Sequence, residues 1–191
     1  MVYPGTIVLI LFVSGNLLAD TNSDDRMLFT FTNAESGRQW QTVNDGVMGG
    51  RSDGRFRIND ENNLEFFGNL SLANNGGFAS VRSTGSALNL RSGDAIALRV
   101  RGDGRKYTLN LYPRRRQVAF SYRASFQTKR GEWTEVSVPL SQFVATSFGR
   151  VVKNASLQPS EIRGVGVLLG DKIPGAFKLE IASVSVKRTG S

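Results

Sequence analysis

The sequence predicts an all-β protein built as an antiparallel β-sandwich of the jelly-roll kind. Short runs of alternating apolar and polar residues recur along the chain, and Gly, Asn, Asp or Ser residues bound them, which is typical of strands joined by turns. No segment carries a sustained apolar stripe with the period of a helix. Many short strands in a chain of 191 residues favour a sandwich over a parallel sheet with crossover helices.

The alternating runs define the predicted strands in chain order. They cover residues 27–31, 54–58, 63–70, 77–83, 94–101, 106–112, 117–126, 132–138, 162–169 and 176–186. Only two segments, 140–143 and 159–162, are expected to be helical, and each is about one turn long.

The alternation also assigns the two faces of each strand, because successive side chains point to opposite sides of a sheet. The side chains expected in the core are Ile96, Leu98 and Val100; Tyr107, Leu109 and Leu111; and Val118, Phe120, Tyr122, Ala124 and Phe126. In the last strand the apolar residues are odd-numbered up to Ile181 and even-numbered from Val184. A β-bulge near Ala182 and Ser183 would keep all of them facing inward.

The chain is expected to contain one domain with a leader before it. We predict a signal peptide at 1–19, a linker at 20–26, a single domain at 27–187 and a tail at 188–191. The apolar run 6–13 is too short to span a bilayer as a helix and suits a signal-peptide core. No Lys or Arg precedes the run, and Leu17 stands where a small residue is usual, so an uncleaved anchor or a misassigned start is the alternative.

The composition argues against an enzyme. The chain has no Cys and no His, which excludes disulfides, thiolate metal sites and a serine-histidine triad. Catalysis would depend on carboxylates, lysine or tyrosine, and nothing in the sequence selects a pair among the strand residues Glu65, Glu135 and Glu180. We therefore expect no catalytic residue, no metal and no other cofactor.

The net charge of +8 favours an anionic partner, such as lipid headgroups, an acidic glycan, nucleic acid or an acidic protein face. The outward sides of several predicted strands carry the candidate binding residues, which are Phe78, Arg82, Arg99, Arg101, Asn110, Tyr112 and Arg123. If their strands are neighbours in one sheet, these residues form one open polar surface. The alternative is an ordinary solvated face of an antiparallel sheet.

The segment Val43-Asn-Asp-Gly-Val-Met-Gly-Gly50 is the most distinctive in the chain. Gly46 accepts a positive φ and Asn or Asp can cap its own backbone, so the segment predicts a tight turn. No Gly-Lys-Ser/Thr sequence or helix pattern follows it, which excludes a phosphate-binding loop. A calcium site at Asp45 and Asp53 is a further alternative, although the spacing does not match an EF-hand loop.

The chain resembles the complex I intermediate-associated protein 30 domain family in a series of matches that run in order over about residues 28–186. The matching segments are Trp40, 43–50, Ser52, 67–68, 76–78, 81–82, 98–104, Trp133, 138–140, Phe143, 162–166 and 175–181. The residues that we assign to the family motif itself are Trp40, Asn44, Asp45, Gly46, Met48, Gly49 and Gly50. The resemblance implies a galactose-binding-like jelly roll, related in shape to carbohydrate-binding modules, with no established catalytic residues.

The resemblance also implies a function in assembly, because mitochondrial members of the family act as assembly factors for respiratory complex I. The resemblance also extends to some plant relatives, which carry the domain in proteins with functions related to photosystems and RNA. We expect a non-enzymatic binding module that binds a protein partner, such as a respiratory-complex assembly intermediate, through the polar, Arg-rich face. The alternative is an exported carbohydrate-binding module.

The leader and the family point to different cellular locations. A cleaved leader predicts a periplasmic or extracellular protein, whereas its absence predicts a cytoplasmic or membrane-anchored one. Nucleic acid is not expected as a partner, and membrane association is expected only through the N-terminal segment.

Overall fold

Two antiparallel sheets form the fold, as the alternating sequence pattern predicts. The computed structural model describes residues 25–114 and 120–188. The strands in this part of the chain are β1 (Arg26–Thr30), β2 (Trp40–Thr42), β3 (Asp53–Ile58), β4 (Leu64–Leu70), β5 (Ala79–Ser83), β6 (Ala95–Arg101), β7 (Lys106–Pro113), β8 (Phe120–Gln127), β9 (Trp133–Pro139), β10 (Val144–Ser147), β11 (Arg150–Val151), β12 (Ile162–Leu169) and β13 (Gly175–Lys187). Short 3₁₀ helices lie between some of them, at Ala34–Gln39, Asp45–Met48, Ala73–Asn75, Leu140–Gln142 and Pro159–Glu161.

The first sheet has six strands in the order β3-β4-β13-β6-β9, with β1 also paired to β13. β13 is long enough to pair with two strands along one edge. β4 pairs with residues 175–181 of β13, and β1 pairs with residues 183–186 of the same strand. The register between β13 and β6 shifts between Ile181 and Ser183, at the position where the sequence predicts a bulge. Phe177, Leu179, Ile181, Val184 and Val186 are all buried, so the bulge keeps them facing inward.

The second sheet has seven strands in the order β11-β10-β8-β7-β12-β5-β2. The core lies between the two sheets, and the predicted core residues of β6 and β7 are fully or almost fully buried in it. Tyr122, Ala124 and Phe126 of β8 are buried as well, whereas Phe120 is partly exposed and packs at the margin of the core. Burial therefore confirms the predicted core faces of β6 and β7 and, for Tyr122, Ala124 and Phe126, that of β8, whereas Val118 lies outside the described residues.

The sequence pattern misses three short strands, β2, β10 and β11. β2 and β11 have only three and two residues, too few for an alternation to appear. β10, with the sequence Val-Ala-Thr-Ser, buries only Ala145 and Thr146, so it offers no large apolar residue as a signal. The two predicted single-turn helices are present, at Leu140–Gln142 and Pro159–Glu161.

Several expectations concern residues outside the described part of the chain. The predicted signal peptide at 1–19, most of the linker, the tail beyond residue 188 and the start of the predicted strand 117–126 lie there. Among the described residues, the structure contains no helix with both the length and the apolar character that a membrane span requires.

Candidate binding face

Four of the seven predicted binding residues lie on strands of the second sheet. Arg82 on β5 lies opposite Gly166 on β12, Gly166 lies opposite Asn110 on β7, and Asn110 lies opposite Arg123 on β8. Because directly paired residues share a face, these side chains form one row across four strands on the outer surface of the sheet. We call this surface the arginine face and define it as Ser80, Arg82, Asn110, Tyr112, Ser121 and Arg123.

β12, the strand between β5 and β7, carries glycine at two successive outward positions, Gly164 and Gly166. A β-carbon added at Gly166 would lie 2.6 Å from the carbonyl oxygen of Val81 and 3.2 Å from Cγ of Arg82. With no side chains there, Arg82 extends across β12, and its guanidinium carbon lies 5.0 Å from the centre of the Tyr112 ring. The glycines thus leave a shallow groove over β12, across which Arg82 on β5 reaches the ring of Tyr112 on β7.

The two arginines of the face are oriented in the same way by serines two residues earlier on their own strands. Nε of Arg82 donates to Oγ of Ser80, and Nε of Arg123 donates to Oγ of Ser121, both at 3.0 Å. Among the described residues, neither arginine has a carboxylate partner, and their terminal nitrogens make no hydrogen bond. Each guanidinium is therefore fixed through Nε and keeps its outer N–H groups for a ligand.

Behind the arginines, the two serines are buried and belong to two separate sets of hydrogen bonds. Ser80 donates to the carbonyl oxygen of Val43 at 2.6 Å, and Ser121 donates to Oδ1 of Asn110 at 3.3 Å. Asn110 is fully buried, and its amide donates to the carbonyl oxygen of Thr108. A network whose members are hydrogen-bonded holds side chains in one conformation, so the arginines stand on a rigid base.

Partial burial of the arginine face changes the pKa values of two of its groups. Burial lowers the pKa of Arg123, and the nearby charge of Arg82 lowers it further, while Tyr112 opposes this effect. Burial also raises the pKa of Tyr112, so this phenol stays neutral near pH 7. Two uncompensated positive charges in a partly desolvated surface attract an anion more strongly than charges in bulk water would.

Arg99 and Arg101 do not belong to this face, so the condition for one shared surface, that all the candidate strands are neighbours in one sheet, is not met. Both residues lie on β6 of the first sheet, with their guanidinium carbons 5.6 and 4.9 Å from the ring centre of Trp133. Arg101 also pairs with Glu180 at 2.5 Å and with Glu61 at 2.8 Å. Its charge is compensated, and the hydrogen bonds that Arg101 donates to Glu180 raise the pKa of its guanidinium.

Phe78 lies at one end of the second sheet, just before β5, and is partly buried. Its backbone pairs with Asp45 in both directions, because Phe78 accepts from the Asp45 amide and donates to the Asp45 carboxylate, each at 3.2 Å. A β-carbon at Gly170 would lie 3.8 Å from the Phe78 β-carbon, which places Phe78 at the outer side of β12. It therefore borders the arginine face, and its backbone connects this border to the motif segment.

The distinctive segment at 43–50 is organised around the fully buried carboxylate of Asp45. Oδ1 accepts from the amide of Ser52 at 2.9 Å, and Oδ2 accepts from the Ser52 hydroxyl at 2.5 Å, the Gly77 amide at 2.6 Å and the Phe78 amide at 3.2 Å. Burial alone raises the pKa of this carboxyl, but the hydrogen bonds together outweigh it and leave the pKa below its ordinary value.

The glycines of this segment and of the adjoining loop leave room for that carboxylate. A β-carbon at Gly50 would lie 2.3 Å from Cγ of Asp45, and one at Gly76 would lie 2.6 Å from its Oδ2. Gly49 ends the 3₁₀ helix in the left-handed region with a φ of 86°, which favours glycine. Gly46, in contrast, has open space where a side chain would be.

The remaining motif residues divide into buried and exposed ones. Trp40 is buried, and its ring centre lies 5.1 Å from that of Phe29 and 5.7 Å from that of Phe31. Asn44 donates from its amide to the carbonyl oxygen of Gly54 at 2.9 Å, which ties the segment to β3. Met48 is exposed. All four hydrogen bonds to the Asp45 carboxylate come from N–H or O–H donors, so a calcium ion there would have to displace them.

The fold brings two strand carboxylates together, a pair that the sequence alone does not identify. Glu65 on β4 lies opposite Glu180 on β13, and both are buried on the outer side of the first sheet. Arg57 pairs with Glu65 at 2.8 Å, Arg101 pairs with Glu180, and Lys178 lies within 3.7 Å of both carboxylates. The hydrogen bond from Arg101 lowers the pKa of Glu180, whereas a general acid needs a raised pKa. These contacts make the pair a structural ion network.

Sequence reasoning missed Gly164 and Gly166 as residues of the candidate face. The available signal was a Gly-x-Gly pattern at alternate positions of an otherwise apolar strand, which places both glycines on one side. The Ser-x-Arg pattern at 80–82 and again at 121–123 was a second signal, because alternate residues of a strand are neighbours on one face.

Comparisons with known proteins agree with the fold. Residues 29–181 match the family model described as complex I intermediate-associated protein 30. The mitochondrial protein of that name from Mus musculus is 29% identical over 185 residues, covering 84% of this chain and 56% of the mouse protein. The probable Caenorhabditis elegans counterpart is 32% identical over 97 residues, covering 48% of this chain and 28% of its own length. The chain thus spans about half the length of the mouse relative and about a quarter of the length of the nematode one.

Among solved structures, a family 11 carbohydrate-binding module from Clostridium thermocellum, in complex with a mixed-linked tetrasaccharide, has a TM-score of 0.60 at 12% identity. The similarity covers 86% of this chain and 96% of that module. The agarase AgWH50C has a TM-score of 0.61 at 11% identity, over 87% of this chain and 25% of the enzyme. At these identities the similarity establishes the sandwich fold alone.

Proposed function

Because this chain belongs to the complex I intermediate-associated protein 30 family, we propose that it is a non-enzymatic binding module that holds an acidic segment of a protein partner on the arginine face. The partner that we propose is an assembly intermediate of a membrane complex. This proposal extends to the chain what the names of its relatives say of them.

The observation that carries the proposal is the pair of oriented, uncompensated guanidinium groups at Arg82 and Arg123. Each uses Nε to reach a serine and leaves its outer nitrogens unbonded to the described residues. A guanidinium group can bind a carboxylate through two parallel hydrogen bonds, and burial of its surroundings strengthens the attraction. Two such groups in one row suit a peptide segment with acidic side chains.

A protein partner fits the border of this face better than a sugar does. Val144 lies opposite Arg123, Val151 pairs with β10, and Phe148 lies in the turn between them, and all three are exposed. Apolar side chains beside arginines are typical of the centre of protein interfaces. The ring of Tyr112, which lies on the face itself, is covered by the guanidinium of Arg82 and therefore offers little free surface to a sugar ring.

The proposal is tested by capture of partners in the source cells with the tagged full chain, cross-linking and mass spectrometry. We expect proteins of a membrane complex or its intermediates to be enriched, and R82A/R123A to lose them. The matched control, R55A/R99A, removes the same charge from the first sheet and should retain the capture. Equal capture by both variants, or no enrichment of such proteins by the wild type, would contradict the proposal.

The alternative, a carbohydrate-binding module, makes a different prediction for the same face. A glycan array probed with the full chain would give a saturable signal that R82A/R123A loses, whereas an empty array argues against the sugar. Salt separates the two cases, because binding of an acidic peptide weakens as ionic strength rises and binding of a neutral glycan does not.

The cellular location is part of the same proposal and depends on the first 19 residues. N-terminal sequencing of the protein from fractionated cells tests it. A mature chain that begins near Asp20 in an exported fraction would indicate a cleaved signal peptide and would argue against a role inside the organelle or cytoplasm.

A further inference from the structure

A second basic region lies where β1 begins and β13 ends. A surface cavity of about 470 Å³ is lined there by four arginine side chains, from Arg26, Arg91, Arg163 and Arg188. These residues come from four separate parts of the chain, so the fold and not a local charge run brings them together. None of them belongs to the arginine face.

Backbone carbonyl groups position two of these arginines without neutralising them. The guanidinium of Arg26 donates to the carbonyl oxygens of Leu88 and Asn89. The guanidinium of Arg163 donates through Nη1 to the carbonyl oxygen of Ser160 at 2.7 Å. Because a carbonyl group carries no net charge, these hydrogen bonds orient the side chains and leave their full positive charge at the cavity.

The charge of the cavity is only partly balanced. Asp94 is buried, lies 3.4 Å from Nε of Arg188 and accepts a hydrogen bond from the backbone amide of Arg91 at 2.8 Å. In the described parts of the chain, the guanidinium groups of Arg26, Arg91 and Arg163 have no acidic partner. The cavity thus keeps an excess of positive charge that an anionic ligand would offset.

We propose that this cavity binds a phosphoryl group, as inorganic phosphate or as a phosphate monoester. A phosphate dianion has several oxygens in a tetrahedral arrangement, so it can accept hydrogen bonds from more guanidinium groups than a planar carboxylate can. The cavity is also larger than one phosphate, which leaves room for the group esterified to it. The ester could be a soluble metabolite or the headgroup of an anionic lipid, and the chemistry of recognition is the same for both.

The first test is a calorimetric titration of the full chain with inorganic phosphate. We expect saturable binding, and we expect R91A/R163A to weaken it by about tenfold or more, since hydrogen bonds between charged groups contribute more than neutral ones. The control R38A/R51A removes the same charge from residues outside the cavity and should bind as the wild type does. Unchanged affinity in R91A/R163A, or an equal loss in the control, would overturn the proposal.

A second arm of the test identifies the source of the phosphoryl group. Vesicles of phosphatidylcholine with and without phosphatidic acid are sedimented with the wild type, R91A/R163A and R38A/R51A. Sedimentation that requires phosphatidic acid, Arg91 and Arg163 would support the site with a lipid headgroup as its ligand. Binding of free phosphate without sedimentation would support a soluble ester. If the wild type binds neither probe, the proposal is wrong.

Discussion

Replacement of Asp45 by Asn is the sharpest test of how the motif segment stabilises the sandwich. The change keeps the shape of the side chain but replaces one acceptor oxygen with an NH₂ group. If the remaining oxygen takes the place of Oδ2, three hydrogen bonds persist in a weaker, neutral form, and the Ser52 amide then faces another donor. The opposite orientation leaves three donors without an acceptor.

The magnitude follows from the better of these two orientations. A buried donor without an acceptor costs about 1 to 3 kcal/mol, and loss of the charge weakens the surviving bonds to roughly half their strength. We therefore expect Asp45→Asn to lower the free energy of unfolding at pH 7 by about 3 kcal/mol. Single domains are usually stable by only about 5 to 15 kcal/mol, so the loss should be easy to measure.

The pH dependence gives a second, independent readout. Hydrogen bonds hold the pKa of Asp45 below its ordinary value of 3.8 in the folded protein. A group of this kind stabilises the fold fully above its unfolded pKa, and the stabilisation is lost as pH falls through the folded pKa. The difference between the wild type and Asp45→Asn should thus be largest near neutral pH and should shrink below pH 3.8.

The assay is urea denaturation at several pH values, with two-state behaviour checked by two probes. The control is Asp53→Asn, because Asp53 forms an exposed pair with Arg55, and such pairs contribute about 0 to 1 kcal/mol. If Asp45→Asn unfolds like this control, or if the difference from the wild type does not depend on pH, the assigned role of the buried carboxylate is wrong.

Two further changes probe the packing and the ion network. Gly50→Ala should lower the free energy of unfolding by about 2 to 4 kcal/mol in urea denaturation, because the added β-carbon would lie 2.3 Å from Cγ of Asp45. The control Gly46→Ala, which has open space around the added β-carbon, should cost about 1 kcal/mol or less. Equal effects of the two substitutions would contradict the close packing at Gly50. Glu180→Gln should lower the free energy of unfolding by about 1 to 3 kcal/mol, because a buried carboxylate that accepts two hydrogen bonds from Arg101 loses its charge, while Arg101 keeps Glu61 as a partner. The exposed Glu135→Gln should cost about 1 kcal/mol or less. The lowered pKa of Glu180 implies that its contribution is present at neutral pH and declines on acidification, so a cost that persists unchanged at acid pH would refute this reading.

Sequence periodicity could predict which way a side chain points but not which strands share a sheet. The outward direction of Arg82, Asn110 and Arg123 follows from alternation within each strand, a local property. Arg99 has the same local pattern, yet its strand pairs with β13 in the other sheet. Sheet order depends on contacts between residues far apart in the chain, so the polar residues of all four strands looked equivalent in the sequence.

The same limit applies to the motif segment. Its glycines and its Asn-Asp-Gly step predict a turn from local backbone preferences. The donors that surround Asp45 come in part from Gly77 and Phe78, more than thirty positions further along the chain. A buried carboxylate with its partners cannot be recognised from the turn alone, because the burial depends on how two loops meet at one end of the sandwich.

The distribution of charge connects the two proposals. The net charge of +8 says only that the chain repels cations and attracts anions. In the structure, Arg57 and Arg101 on the first sheet meet the carboxylates of Glu65 and Glu180, so that surface is largely neutralised. Among the described residues, the arginines without a carboxylate partner include both arginines of the arginine face and three at the cavity, although Arg99 on the first sheet has none either. The two proposals therefore use arginines that these carboxylates do not neutralise, and we expect the strand carboxylates of the first sheet to disfavour an anionic partner there.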